Sequence, residues 1–251
     1  VAPDRRRGRA EGRGVSSYRR RSAGRYDGRV CGRFTLTVSA RVLGELFNVP
    51  EPAGVAPRYN IAPTQQVVVA RTGEEGRELA EVRWGLVPHW ADDLSIGSRM
   101  INARGETVAS KPAFRSALKH RRCLIPADGF YEWKKVGAGK QPHLIHFADR
   151  RAFAFAGLWE RWLPRDGGAP VDSCTIITTT PNELLRDIHD RMPVILPPAA
   201  FEEWLRPEPL AATRLEELLR PHPEAEMEAF AVSRRVNSPA YDGPECIAPL
   251  S

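Results

Sequence analysis

Residues 1–30 carry ten arginines, three acids and almost no large apolar side chain, so any core this chain builds has to come from residue 31 onward. A segment of that composition cannot bury enough surface to offset the entropy of ordering it, and it reads as a disordered Arg/Gly-rich leader. Residues 31–251 are enough for one sizeable core. They hold 27 basic against 28 acidic side chains, which concentrates the formal charge of +6 in the leader. If the body touches a polyanion, it does so through a local patch, because its summed field is close to zero. Arginine outnumbers lysine 32 to 5, which fits GC-rich coding better than a function.

The body reads as α+β, a single β-rich domain with flanking helices. "ARVLGELF" has the spacing of a short amphipathic helix, while "QQVVVAR" and "AEVRWGLV" read as strands. "RCLIPADGFYEWKK" and "HLIHFA" flank "VGAGKQP" as a hairpin connection would, and "AFAFAGLWERW" and "CTIITTT" have the pattern of buried strands. Helical signals return in "TPNELLRDIH", with Thr180 as N-cap and Pro181 in the first turn, and in "PPAAFEEWLR" and "ATRLEELLR".

Several chemistries are not announced. "VGAGK" shares only its final Gly-Lys with a phosphate loop, and there is no nucleophile elbow, no H-E-x-x-H and no dinucleotide fingerprint. Cys31, Cys123, Cys174 and Cys246 stand far apart, with no C-x-x-C pair, so neither a metal site nor a cofactor is expected. No apolar run approaches bilayer length and no secretory h-region is present, which gives the expectation of a cytoplasmic protein with reduced thiols and no membrane partner.

What remains is a series of dense polar runs in apolar context: "CGRF", "RYNIAPTQ", "WGLVPHWA", "MINARGET", "PADGFYEWK" and "IHDRMPVIL". Singly, each is ordinary turn chemistry. Together, in this order and spacing, they closely resemble the SRAP family, the SOS-response-associated peptidases, whose members include a protein that crosslinks to abasic DNA. The resemblance runs from Cys31 to about Pro249.

That resemblance implies an SRAP-type domain over residues 31–251, acting as a monomer near the nucleoid on abasic sites in single-stranded DNA. It makes Cys31 the first residue of the working protein. An N-terminal cysteine offers an amine and a thiol on adjacent carbons, which together can trap an aldehyde as a thiazolidine. The α-amino pKa of about 7.7–8.0 leaves a useful free-base fraction at neutral pH. With residue 30 attached, the nitrogen is an amide and forms no imine. Val30 is readable as a GTG start codon, which would make residues 1–30 upstream translation; the alternative is a pro-segment removed by self-processing.

By the same resemblance Asn102 is an active-site amide, Glu132 the catalytic carboxyl and His189 the catalytic histidine. Arg33 and Arg104 are implied phosphate contacts, Trp90 a base-stacking wedge, and Asn60, Pro63 and Thr178 pocket-shaping contacts to DNA; Arg115 of "PAFR", outside the matched motifs, is read as a further phosphate ligand. Trp90 is followed by Ala91 where some relatives carry a second aromatic. Trp84 is expected in the core. Two other functions fit the residues: a thiol peptidase using Cys31, His189 and Asn102, and a non-covalent reader of modified bases.

Overall fold

A computed structural model describes residues 31–250; the expected leader and its removal lie outside the described residues. Five strands, β1 (Phe34–Leu36), β2 (Arg58–Ile61), β7 (Gly129–Val136), β8 (Gly139–Phe147) and β13 (Met227–Ala231), form an antiparallel sheet in the order β13-β8-β7-β1-β2. A second sheet holds β3 (Gln66–Gly73), β4 (Gly76–Trp84), β5 (Asn102–Arg104), β6 (Arg122–Ala127), β9 (Phe153–Trp162), β10 (Val171–Thr179), β11 (Met192–Pro193) and β12 (Ile195–Leu196). Within it β10, β4, β3, β6 and β9 pair in succession and β9 returns to β10, closing a ring that leaves those strands few free edges. The short strand β5 runs parallel to the distal half of β10.

The local patterns explain most elements. The periodic segment "ARVLGELF" is α1 (Ala40–Phe47), started by the Ser39 hydroxyl accepting from the Val42 amide and stopped by Asn48 at φ +51°. Leu43 and Phe47, four residues apart, bury one face, and Phe47 stacks on Phe201 of α4 (Phe201–Leu205) at 5.6 Å. The remaining helices are α2 (Arg115–His120), α3 (Glu183–Arg186) and α5 (Ala212–Leu218). Between the sheets runs a chain of edge-to-face rings, Trp84 to Phe34 (5.2 Å), Phe34 to Phe155 (5.8 Å) and Phe155 to Phe130 (6.0 Å). Each such pair contributes about 0.5–1.5 kcal/mol beyond its buried area. Trp84 is fully buried, with its indole N–H on the Ile101 carbonyl.

Three details depart from the sequence expectation. "RCLIPADGFYEWKK" is two strands in different sheets, β6 and β7, because Asp128 turns the chain between them. Its carboxylate accepts from the Thr35 and Thr37 hydroxyls, both at 2.5 Å, and from the Thr37 amide at 2.6 Å. The "VGAGKQP" loop shrinks to Gly137 and Ala138, since Gly137 at φ +57° permits a tight turn and lets Gln141 and Pro142 pair within β8. The cap of α3 is Asn182, not Thr180. Its amide both accepts from the Leu185 N–H and donates to the His222 carbonyl, a double fit that a threonine hydroxyl at 180 does not offer.

Candidate active site

The register of β1 against β7 builds the site. Phe34 pairs with Phe130, the Tyr131 amide donates to the Arg33 carbonyl at 3.0 Å, and the chain just ahead of β1 therefore lies alongside Glu132. Cys31 is buried, in left-handed backbone at φ +41°. A side chain rarely adopts that conformation, which costs on the order of 1–3 kcal/mol. Here it aims the Cys31 N–H at Glu132 Oε1, 2.6 Å away. Burial pushes the Cys31 thiol well above its ordinary range, and the neighbouring Glu132 pushes it the same way.

Glu132 is itself fully buried. Burial raises its carboxyl to about 8, against the lowering effect of the Cys31 and Trp133 amide N–H groups. At neutral pH it is therefore largely a neutral acid that can donate a proton and take it back. His189 follows α3, its amide bonded to the Leu185 carbonyl at 2.8 Å, and brings Nε2 to 4.0 Å from Glu132 Oε2. That gap is too long for a hydrogen bond, yet an oxygen beside both atoms could reach each of them. On its other side His189 Nδ1 lies 3.2 Å from the Arg191 amide and 2.9 Å from Asp190 Oδ1. A neutral ring accepts from the first; a protonated ring donates to the second. Cys31, Glu132 and His189 thus meet around one carboxyl group.

The other anticipated residues fall into two sets. Asn102 and Arg104 share a face of β5, beside Ile176 and Thr178 of β10. Arg104 and Arg115 are exposed, and Trp90 is 48% exposed on the loop after β4. That loop is anchored beneath by the Trp162 indole N–H on the Ala91 carbonyl at 2.8 Å. Pro63 is half-buried in the turn between β2 and β3. Arg33, Asn60 and Thr178 are instead buried. The Arg33 guanidinium donates to Asn60 Oδ1 (2.9 Å) and to the Val236 (2.5 Å) and Asn237 (3.0 Å) carbonyls. The Asn60 amide in turn donates to Val236, Ser238 and Tyr241 carbonyls, so this pair pins the segment 236–241 against β2. An apolar groove of about 740 Å³ elsewhere, lined by residues such as Val42, Phe153 and Phe201, contains none of the site residues.

A family model described as SOS response associated peptidase (SRAP) matches residues 30–239. The chain belongs to the SRAP family. It is 47% identical over 222 residues to "Abasic site processing protein YoqW" of Bacillus subtilis, covering 87% of this chain and 99% of that protein. It is also 36% identical over 226 residues to "Abasic site processing protein HMCES" of Gallus gallus, covering 77% and 66% respectively. Among solved structures, a protein from Bacteroides thetaiotaomicron superposes with a TM-score of 0.78 at 27% identity, covering 88% of this chain and all of the other.

Two further residues complete the surroundings of this candidate site and lie inside the polar runs. Arg191 of "IHDR" makes a bidentate pair with Glu106 of "ARGET", at 2.5 and 2.9 Å, and also donates to the Thr178 carbonyl at 2.7 Å. Glu106 is held below the usual carboxylate range chiefly by Arg191, with Arg104 adding to the effect. The clamp ties the loop carrying His189 to the one following Asn102. The complementary charges in neighbouring motifs were the available signal; only the fold shows that they face each other.

Proposed function

We propose that this protein captures abasic sites in single-stranded DNA covalently, through a thiazolidine formed by Cys31 once its amine is free. The observation that carries this reading is the Cys31 nitrogen on Glu132 Oε1 with His189 beside the other carboxyl oxygen. The names of its relatives as abasic site processing proteins support the substrate class.

The abasic deoxyribose reacts as its open-chain aldehyde. The Cys31 amine adds to the carbonyl carbon, the carbinolamine loses water and an imine forms. The Cys31 S–H then adds across the C=N bond: sulfur takes the carbon, the proton goes to nitrogen, and a five-membered ring closes with one water lost overall. A carboxyl poised near pH 8 suits both proton movements, protonating the departing oxygen and receiving a proton from the amine. His189 acts on the sugar oxygen in ring opening and in reversal. Asn102 holds the cysteine or the sugar, Arg104 and Arg115 take phosphates, and Trp90 stacks on a base, an interaction contributing about 1–3 kcal/mol per base in single-strand binders. Arg33, Asn60 and Thr178 act from behind the surface, by holding the loops that face the strand.

The peptide bond before Cys31 has to be absent for this chemistry, by initiation at codon 30 or by self-processing at the same site. The same reading puts the protein at the nucleoid as a monomer. A general thiol peptidase is less well supported, because its cysteine works as a thiolate and burial here pushes the Cys31 thiol in the opposite direction. The test is the intact mass of protein beginning at Cys31 after incubation with an abasic oligonucleotide. The expected species has the summed mass of the two less one water; its absence would overturn the proposal.

A further inference from the structure

Lysine is scarce in this chain, and three of its five lysines, Lys134, Lys135 and Lys140, sit on the β7–β8 hairpin. Lys135 and Lys140 are direct cross-strand partners. Like charges so placed weaken a hairpin, so the fold gains nothing from the pair. Alternation along β7 sends Lys135 to the face of Tyr131 and Trp133, away from Glu132. On that face packs the segment after β13, through Val232 and Val236. It is tied down by Gln141 Nε2 to the Val232 carbonyl and by the Trp133 indole to Asn237 Oδ1, both at 2.8 Å. This segment brings in Arg234, whose guanidinium lies beside Gly139, and Arg235, whose guanidinium stands 5.7 Å over the half-exposed Tyr241 ring.

Several exposed arginines elsewhere, such as Arg151, Arg161 and Arg214, face acids. Among the described residues no carboxylate forms an ion pair with Lys135, Lys140, Arg234 or Arg235. In a body with near-zero net charge, an uncompensated cluster of four cations, next to an exposed aromatic ring, is the local patch that a polyanion requires.

We infer that this face is a second nucleic-acid contact, which grips the phosphate backbone flanking the captured site. It rests on the reading that the substrate is DNA. Three residues of strand separate Glu132 from Lys135, about 10 Å along β7. The cations lie on the far side of β7 from the reacting groups, so they meet a different stretch of backbone from the one carrying the lesion. Their contribution is affinity for longer strands; Lys140 alone also reaches Glu132, whose carboxyl it lowers slightly.

The test uses the fourfold variant Lys135→Ala, Lys140→Ala, Arg234→Ala and Arg235→Ala. Non-covalent binding to lesion-free single strands is measured across a salt series, with one strand of about 6 nucleotides that fills a single site and one of about 30 that extends beyond it. For the longer strand the affinity at low salt should fall at least tenfold, and the slope of log K against log salt should become shallower by about 2–3, as loss of four phosphate contacts predicts. Binding of the short strand, and adduct yield on a short abasic oligonucleotide, should match the parent. Lys135→Glu with Lys140→Glu should deepen the loss on the longer strand. An unchanged slope on the longer strand, or equal losses on both lengths, would overturn the inference. Because lesion-free binding is read apart from adduct formation, a failure of covalent capture is visible separately.

Discussion

The Cys31 backbone nitrogen sits 2.6 Å from Oε1 of Glu132, although 101 residues separate the two in the chain. Sheet register, not sequence proximity, sets that contact: β1 and β7 are neighbours, and Phe34 opposite Phe130 fixes where the preceding residues fall. The carboxyl is thereby held in a fully buried place where its charged form is disfavoured. A group chosen for fold stability alone would not be an acid there. On the proposed mechanism, the arrangement trades stability for a proton-transfer group beside the reacting nitrogen.

Replacing Glu132 by glutamine should make that trade measurable. The folded carboxyl titrates near 8, above the ordinary value of 4.5, so between those limits the folded state binds the proton more tightly than the unfolded one. Stability contributed by this group is complete below about pH 4.5 and is lost as pH rises through 8, amounting to roughly 4–5 kcal/mol at full ionisation. Glu132→Gln has no such titration. Denaturant midpoints at pH 5 and pH 9 should show the variant gaining on the parent at the higher pH; parallel behaviour at both would mean that the carboxyl is not held neutral.

Cys31→Ser keeps the size and the amine but offers a poor second nucleophile. With protein beginning at residue 31, non-covalent strand binding should stay within about twofold of parent, an imine should be trappable with borohydride, and the lasting heat-stable adduct should vanish. Undiminished adduct in this variant would remove the thiol from the mechanism. A chain that retains Val30 should form neither species, because its nitrogen is an amide.

The parts that were legible in the sequence are those with local causes. The apolar spacing of α1 and its Ser39 cap lie within a few residues, and the nearly continuous apolar or small-residue runs of the buried strands β9 and β10 are carried by their own side chains. The change of sheet at Asp128 was hidden because its partners, Thr35 and Thr37, are more than ninety residues away. Arg33 was misleading for a similar reason. Its motif suggested a surface contact, whereas its acceptors at Val236 and Asn237 lie over two hundred residues on and draw it inside. Cys31, Glu132 and His189 came from the resemblance between motifs; no spacing rule links them, and only the fold brings them around one carboxyl.

His189 and Glu132 should separate kinetically. Glutamine at 132 removes the acid beside the nitrogen, so imine formation itself should slow, by about a hundredfold or more if the carboxyl is the general acid–base. His189→Ala leaves that acid in place and removes the group 4.0 Å from its second oxygen. Its larger effect should fall on reversal and on sugar ring opening. Adduct formation and release, followed by denaturing electrophoresis on folded variants, distinguish the two; equal rate losses on both steps for both variants would mean that the histidine and the carboxyl act as one unit.

Arg33 and Arg104 carry the same charge in neighbouring parts of the protein and should fail in opposite ways. Arg33→Ala leaves Asn60 Oδ1 and the Asn237 carbonyl without this buried donor, and the Val236 carbonyl with only its bond from Asn60. That should cost on the order of 3–5 kcal/mol of stability, because a buried polar group deprived of its partner bears its whole desolvation penalty. Arg104 is exposed on β5, so Arg104→Ala should leave stability within about 0.5 kcal/mol of parent. Its effect should appear in binding, as weaker affinity for a short single strand and a salt slope shallower by about 0.7, the value for one phosphate contact. Thermal melts and a salt titration on both variants decide it. A destabilised Arg104→Ala with an unaltered slope would move that residue from the strand interface into the framework, leaving Arg115 and the Trp90 loop to hold the strand.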